Sequence, residues 1–196
     1  MKKRTAKVVR TTKETDIKAS VNLDGTGRYN ITTGIPFFDH MLDLLSKHSL
    51  IDIDIKAKGD LKVDYHHTVE DVGLVLGDAV NKALGDRKGI LRYGWSIIPM
   101  DDASGFSMVD LGGRPYVKYA VTTPTNMIRD FDLQLIEEFL RAFAVQARMN
   151  LHVCNIYGKE SHHIIEAIFK SLARSLRQAV AHDHRSSGVP SSKGVI

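Results

Sequence analysis

The chain has 196 residues, of which 43% are hydrophobic and 26% are charged, and its formal net charge is +4. This composition is that of a globular protein made of one large domain or two small halves. Its lysines and arginines form no stripe, which argues against nucleic-acid binding. The single cysteine, Cys154, excludes an intramolecular disulfide and is typical of a reducing compartment. Because no apolar run approaches the ~20 residues that span a bilayer, we expect a cytoplasmic protein.

In the first half of the chain, three predicted strands precede a helix, and a fourth strand and a second helix follow. Apolar and polar residues alternate in the strand segments, whereas the helix segments have apolar residues at helical spacing. The predicted strands cover residues 5–12, 16–23, 28–33 and 50–60, and the predicted helices cover residues 36–49 and 67–86. Pro36 suits a first helical turn. The turn DGTG at 24–27 predicts a hairpin between the second and third strands.

The second half repeats this order of elements. The predicted strands cover residues 96–102, 105–111, 114–121 and 149–156, and the predicted helices cover residues 131–147 and 162–181. The segment after residue 182 is polar and rich in glycine and serine, which is typical of a flexible tail.

The two halves also match each other in sequence. VNLDG at 21–25 aligns with VDLGG at 109–113, and HHTVE at 66–70 aligns with HHIIE at 162–166. Between these matches, FFDHML at 37–42 lies opposite LIEEFL at 135–140. Matches in the same order along the whole chain indicate an internal duplication. The alignment places Glu14 opposite Asp102 and His40 opposite Glu138.

We therefore expect an α+β fold with an internal duplication. Each half would be a mostly antiparallel four-stranded sheet with two helices on one face, and the helices would pack between the two sheets. The first repeat half would cover residues 1–88, the second residues 89–182, and a flexible phosphate-binding tail residues 183–196. Together these parts would form one compact domain.

Each half has two adjacent histidines and a glutamate at the start of its second helix. These residues are His66, His67 and Glu70, and His162, His163 and Glu166. On a helix the glutamate lies beside its histidines, while the two imidazoles diverge by about 100°. Diverging imidazoles do not easily chelate one ion. The pattern therefore predicts a pair of metal centres, each with ligands from both repeats, within one chain or across a subunit interface.

A lone histidine pair at a helix start is more often a polar cap or a surface feature than a ligand set. The same triplet at matched positions of two repeats favours a chelate, because a cap does not require that match. His40 and Glu138 are further candidate ligands, whereas His152 is equally well interpreted as a histidine at the edge of the core. Imidazole and carboxylate ligands without thiolate favour Mn, Fe or Zn.

Basic residues near these motifs predict an anion site. Lys170 lies one helical turn beyond Glu166, on the same face. Arg92, Arg114 and the segment PSSKG at 190–194 supply guanidinium, ammonium, hydroxyl and backbone N–H groups suited to phosphate oxygens. A surface charge for Arg92 and a disordered, solubilising tail for PSSKG are the alternative interpretations.

Five motifs occur in order across nearly the whole chain: FFDHML, DYHHTVEDVG, GRPY, SHHIIEAIFKSLARSLRQA and PSSKG. Together they closely resemble the imidazoleglycerol-phosphate dehydratase family of histidine biosynthesis. The resemblance implies a hydro-lyase that converts imidazole glycerol phosphate to imidazole acetol phosphate. It also implies two Mn(II) ions per active site and self-assembly into a 24-mer with active sites at subunit interfaces.

The resemblance also implies roles for individual residues. The metal ligands fall on His40, His66, His67, Glu70, Glu138, His162, His163 and Glu166, with Glu138 at a position that is histidine in some members. Glu14 is implied as the acid/base residue that contacts substrate. The phosphate-binding residues fall on Arg92, Arg114, Lys170, Ser191, Ser192 and Lys193.

The implied chemistry explains these residue types. The substrate carbon that loses its proton has no adjacent carbonyl, so an enolate route is closed. A metal on one imidazole nitrogen makes the other N–H more acidic, and the expected path is a metal-bound imidazolate with Glu14 transferring the proton. Two other classes remain open. A dinuclear phosphate-ester hydrolase would release inorganic phosphate, and a metal-storing or structural oligomer would give the basic residues no role.

Overall fold

A computed structural model of the protein describes residues 3–194 and 196. The first half contains β1 (Thr5–Thr11), β2 (Thr15–Asn22), β3 (Tyr29–Thr32), α1 (Pro36–Ser49), β4 (Asp52–Gly59) and α2 (His66–Leu84). The second half contains β5 (Tyr93–Met100), β6 (Ala103–Asp110), β7 (Tyr116–Ala120), β8 (Met127–Ile128), β9 (Phe131–Asp132), α3 (Gln134–Gln146), β10 (Asn150–Tyr157) and α4 (Ser161–Val180).

The two main sheets have the same topology. The first has the strand order β1-β2-β4-β3 and the second the order β5-β6-β10-β7. In each sheet the last strand pairs in parallel with its neighbour, and the other pairs are antiparallel. The expected α+β duplication with mostly antiparallel four-stranded sheets is therefore confirmed.

The hairpin predicted at DGTG is wrong. β2 pairs with β4 over its full length, and β3 joins the opposite edge of β4 in parallel. The side chain of Asp52, at the start of β4, accepts the backbone N–H groups of Thr26 at 2.8 Å and Arg28 at 2.9 Å. These bonds hold the loop across the end of β4, so the glycine-rich turn leads to a crossover instead of a tight hairpin.

The third helix begins three residues later than its apolar pattern predicts. Residues 127–132 form the short β8–β9 ribbon, and α3 starts only at Gln134. Phe131 is fully buried, with its ring centroid 5.2 Å from that of Phe37. The apolar residue at 131 thus reflects burial against α1 and not a helical turn.

The helices lie between the two sheets and share one core. Buried residues of both halves form one continuous apolar cluster, which includes the rings of Phe38, Phe139 and Phe169. α1 packs against α4, and α3 packs against α2. The first helix of each half therefore lies beside the second helix of the other half. In the described part of the chain, no helix is long and apolar enough to cross a membrane.

The contact between α2 and α3 depends on two glycines of α2. A Cβ atom at Gly73 would lie 2.7 Å from the carbonyl oxygen of Phe139, and one at Gly77 would lie 2.4 Å from that of Phe143. Real side chains do not fit at such distances, so glycine permits this close approach. The approach sets the position of α3 relative to the histidines that begin α2.

Candidate active site

The packing of α1 against α4 assembles one cluster of metal-ligand type. The Nε2 atom of His40 lies 3.5 Å from Oε2 of Glu166, and Nε2 of His162 lies 3.3 Å from the same oxygen. One ligand atom from each of the three residues lies within 4.8 Å of the others. His40 comes from the first half and the other two residues from the second. Two imidazole nitrogens and a carboxylate are a donor set suited to Mn, Fe or Zn.

Lys170 completes the surroundings of this cluster. Its Nζ atom lies 2.6 Å from Oε1 of Glu166, so the two carboxylate oxygens face different partners. Burial raises the pKa of Glu166, but the hydrogen bond and charge of Lys170, with a smaller effect of His40, outweigh burial and leave that pKa lowered. Glu166 is therefore ionised at neutral pH and able to bind a cation through Oε2.

The related residues of the other helix pair lie around a more open cavity. The Nε2 atom of His66 on α2 lies 3.6 Å from Oε2 of Glu70. Glu138 on α3 lines a cavity of about 490 Å³ together with His66. Among the described residues, these three do not form a cluster as compact as that of His40, His162 and Glu166.

The second histidine of each pair points elsewhere and is oriented by a carboxylate. The rings of His66 and His67 lie at 85° to each other, and those of His162 and His163 at 80°. Nδ1 of His67 donates to Asp60 at 3.0 Å, and Nδ1 of His163 donates to Asp102 at 2.5 Å. Since a carboxylate only accepts, Nδ1 of each ring carries the hydrogen, and Nε2, which in His163 lies 3.6 Å from Asp101, is the nitrogen left for a cation. A histidine that binds a metal usually donates its other ring N–H to a carboxylate or carbonyl in this way.

These carboxylates change the pKa values of their partners. The hydrogen bond to Asp60 raises the pKa of His67, and the hydrogen bond to Asp102 raises that of His163. Asp102 in turn has its pKa lowered to about 2, first by His163 and then by backbone N–H groups. More basic imidazoles are stronger ligands once a cation replaces the proton.

Glu14 lies in the turn between β1 and β2. The hydroxyl of Thr12 accepts the backbone N–H groups of Glu14 at 3.1 Å and Thr15 at 3.0 Å, which fixes the turn. The exposed Glu14 carboxylate lies 3.9 Å from Nδ1 of His67. It is therefore close to a candidate ligand and accessible to a small molecule.

Five of the six predicted phosphate-binding residues line one cleft of about 380 Å³: Arg92, Arg114, Ser191, Ser192 and Lys193. Arg92 bonds Asp110 through Nε at 2.7 Å and Nη2 at 3.1 Å, and its Nη1 donates to the carbonyl of Pro190 at 2.7 Å. The segment 190–194 thus folds back on Arg92. The next residue, Val195, lies outside the described residues. Lys170 is not part of this cleft but lies at the cluster of Glu166.

The predicted residues therefore form separate groups in one chain. The sequence interpretation missed the carboxylates that orient them, namely Asp60, Asp102 and Asp110. Asp102 was placed opposite Glu14 by the repeat, but its bond to His163 connects elements 61 residues apart. Asp60, seven residues before His67, was the available signal for the first pair only. Which histidine a carboxylate bonds depends on the directions of the side chains, and the spacing of residues along the sequence does not give these directions.

A sequence model described as imidazoleglycerol-phosphate dehydratase matches residues 33–176. This stretch includes both histidine pairs and covers well over half of the chain. The chain belongs to the imidazoleglycerol-phosphate dehydratase family. It is accordingly an enzyme of the hydro-lyase class, a dehydratase of histidine biosynthesis.

Relatives of the imidazoleglycerol-phosphate dehydratase family match along the full chain. The protein of that name from Clostridium botulinum (strain Okra) is 53% identical over 196 residues, covering 100% of both chains. The one from Nitrobacter hamburgensis is 55% identical over 194 residues, covering 98% of both.

Two solved structures of the family have the same fold. The imidazoleglycerol-phosphate dehydratase of Staphylococcus aureus superposes with a TM-score of 0.83 at 36% identity, over 91% of this chain and 99% of that one. The Pyrococcus furiosus member, crystallised with a ligand, gives a TM-score of 0.82 at 34% identity, over 96% of this chain and 100% of that one. The resemblance inferred from the five motifs is thereby confirmed.

Proposed function

We propose that this protein is a metal-dependent dehydratase that converts imidazole glycerol phosphate to imidazole acetol phosphate. The observation that carries the proposal is the cluster of His40, His162 and Glu166, in which ligand atoms from both halves lie within 4.8 Å of one another. A separate basic cleft supplies groups for a phosphate. Membership of the dehydratase family links the two features to one reaction.

Two Mn(II) ions per active site are part of the proposal. One would be held by His40, His162 and Glu166, and the other by His66, Glu70 and Glu138, with His67 and His163 as additional ligands. The donor sets fit such ions because they combine imidazole and carboxylate and contain no thiolate. When bound, the ions would make the N–H of the substrate ring more acidic, which opens an imidazolate route to elimination.

The protein side chains would bind the substrate and move its proton. Elimination breaks a C–H bond at one substrate carbon and a C–O bond at its neighbour, forms a C=C bond and releases water. The enol so formed tautomerises to the ketone, and the phosphate stays on the product. Glu14, exposed and 3.9 Å from the ring of His67, would transfer the proton. Arg92, Arg114 and the Ser191–Lys193 segment would hold the phosphate and so fix the orientation of the reacting carbons.

Self-assembly is also proposed, because one chain holds an incomplete set of ligands. His67 and His163 point away from the candidate ligands that precede them on the same helices. The Nε2 atom of each would therefore reach a metal position of another copy. The resemblance implies a 24-mer with active sites at subunit interfaces. Support comes from the outer face of the second sheet, where Trp95 is 64% and Ile97 is 58% exposed.

The proposal is tested by incubating the protein with imidazole glycerol phosphate before and after chelation, and again after Mn(II) is restored. We expect a dehydrated product with phosphate retained, loss of turnover on chelation and its return with Mn(II). Release of inorganic phosphate would instead identify a phosphate-ester hydrolase. Full turnover after complete metal removal would overturn the metal dependence.

A further inference from the structure

The two groups of candidate metal ligands differ in charge although they occupy matched positions of the duplication. In the alignment of the halves, His40 corresponds to Glu138 and Lys170 corresponds to Leu74. His162 and Glu166 correspond to His66 and Glu70. Compared with the group of His40, the group of His66 thus has a carboxylate in place of a histidine and an apolar residue in place of a lysine.

In the group of His40, His162 and Glu166, the one carboxylate is neutralised. Lys170 holds Oε1 of Glu166 at 2.6 Å, and the side chains of both residues are largely buried. Oε2 remains directed at the two imidazoles, so a cation bound there would have the lysine ammonium as a near neighbour. The formal charge of the three ligands and the lysine is therefore zero at neutral pH.

In the group of His66, Glu70 and Glu138, the two carboxylates have no lysine at the matched position. Leu74 stands one turn beyond Glu70, where Lys170 stands beyond Glu166. Asp64, Asp130 and Asp132 line the same cavity as His66 and Glu138 and add further negative charge. The positive charge of Arg129 partly offsets that of Asp130. The formal charge of the three ligands is therefore −2.

We propose that the two metal positions are unequal: the position with His66, Glu70 and Glu138 binds a hard divalent cation first, and the position next to Lys170 binds one later. This inference rests on the proposed function, because it concerns the same ions. The group of His66 is the less compact one, so a bound cation must fix the position of a glutamate side chain there. Fixing one such side chain weakens binding by up to about tenfold. Each unit charge about 4 Å from a divalent ion changes affinity by about thirtyfold even in a water-like medium. Two units of charge therefore outweigh the more compact arrangement around His40.

The inference is tested by titrating the metal-free assembly with Mn(II), using calorimetry together with the electron paramagnetic resonance signal of free Mn(II). We expect two steps of one ion per chain, with dissociation constants at least about tenfold apart. The Glu138→His variant, which gives the second group the residue found in the first, should weaken the tight step by at least about tenfold. Lys170→Leu should tighten the weak step by a similar factor.

Glu137→His is the matched control. Glu137 precedes Glu138 on α3, is half-buried and pairs with Arg141 instead of facing the cavity of His66, so the same change of charge there should leave both steps unaltered. Two equal steps in the unmodified protein, or an unchanged tight step in Glu138→His, would overturn the inference. Circular dichroism identifies variants that fail to fold. If Glu138→His fails to fold, Glu138→Gln is used in its place, and it should also weaken the tight step.

The inference and the proposed function fail in different ways. Equal binding steps together with Mn(II)-dependent turnover would overturn only the inequality of the positions. Turnover that persists without any bound metal would overturn the metal dependence itself.

Discussion

Glu14 and Asp102 show, at the scale of single residues, how a duplication places two matched carboxylates in different surroundings. Asp102 accepts from the ring of His163 and from the backbone N–H groups of Lys159 and Glu160. Its position is therefore fixed and its carboxylate fully engaged. Glu14, at the matched position, is exposed and lies 3.9 Å from His67. Of the two carboxylates, Glu14 is the one available for proton transfer.

Glu14→Gln should reduce turnover of imidazole glycerol phosphate by about a hundredfold to ten-thousandfold, the usual contribution of a general acid–base residue. The amide keeps the shape of the side chain but cannot accept a proton, so metal content and substrate affinity should not change. Steady-state kinetics and metal analysis measure these quantities. Glu137→Gln, at a half-buried position paired with Arg141, is the control. Near-normal turnover of Glu14→Gln would contradict the role.

At the scale of elements, Asp52 and the α2–α3 contact determine the arrangement of the parts. Asp52 holds the loop that carries the chain from β2 across β4 to β3. Gly73 and Gly77 let α3 approach α2, which brings Glu138 to the cavity of His66. Both devices act between segments that are distant in the sequence.

Asp52 should make stability depend on pH in the acidic range. Despite the opposing effect of burial, hydrogen bonds from Arg28 and Thr26 lower the pKa of Asp52 to about 2 from 3.8. Because the folded pKa is the lower one, the stabilisation is fully present above about pH 4 and is lost as the pH falls toward 2. Urea unfolding at pH 5 and pH 3 measures the free energy of unfolding of the unmodified protein and of Asp52→Asn. The difference between the two proteins should be smaller at pH 3 than at pH 5. Asp78→Asn, at a half-buried partner of Lys82, is the control. A stability difference that does not depend on pH would exclude this explanation.

Gly77→Ala should destabilise the protein by about 1–3 kcal/mol, the range observed for overpacking. The added methyl group would lie 2.4 Å from the carbonyl oxygen of Phe143, so α2 and α3 must separate. Denaturant unfolding measures the effect. Gly188→Ala is the matched control, because among the described residues no atom beyond the chain neighbours lies within 4 Å of a Cβ at that position. Equal stabilities of the two variants would contradict the proposed close packing.

At the scale of the whole molecule, one core unites the halves while the outer faces of the sheets differ. Trp95 of β5 and Phe106 of β6 correspond to Lys7 of β1 and Lys18 of β2 in the repeat alignment. The outer face of the first sheet is thus charged, and that of the second sheet is apolar. This difference favours the second sheet as a contact between copies.

If the proposed assembly uses this face, Trp95→Glu should reduce the mass of the particle in solution and, with it, turnover. A buried charge at an apolar contact costs more free energy than such a contact contributes. Light scattering after size-exclusion chromatography measures the mass. Lys7→Glu, at the matched position of the charged face, should leave the mass unaltered. Unchanged assembly of Trp95→Glu would place the contact elsewhere.

The amino-acid sequence by itself determined the features that depend on neighbouring residues. Periodicity located the four long helices and the main strands. The repeated histidine pairs indicated candidate ligands, and five motifs in order indicated the family. These signals are local because helical and strand periods act over a few residues. The sites and the assembly inferred from them stay predictions.

Only the tertiary structure decided which distant segments meet. It placed β4 between β2 and β3, where the DGTG turn had predicted a hairpin. It joined His40 to His162 and Glu166, turned His67 and His163 toward Asp60 and Asp102, and brought Arg92 to the segment at 190–194. The physical reason is that such pairings are selected by the packing of the whole core and by side-chain direction. Neither is contained in the spacing of residues along the chain.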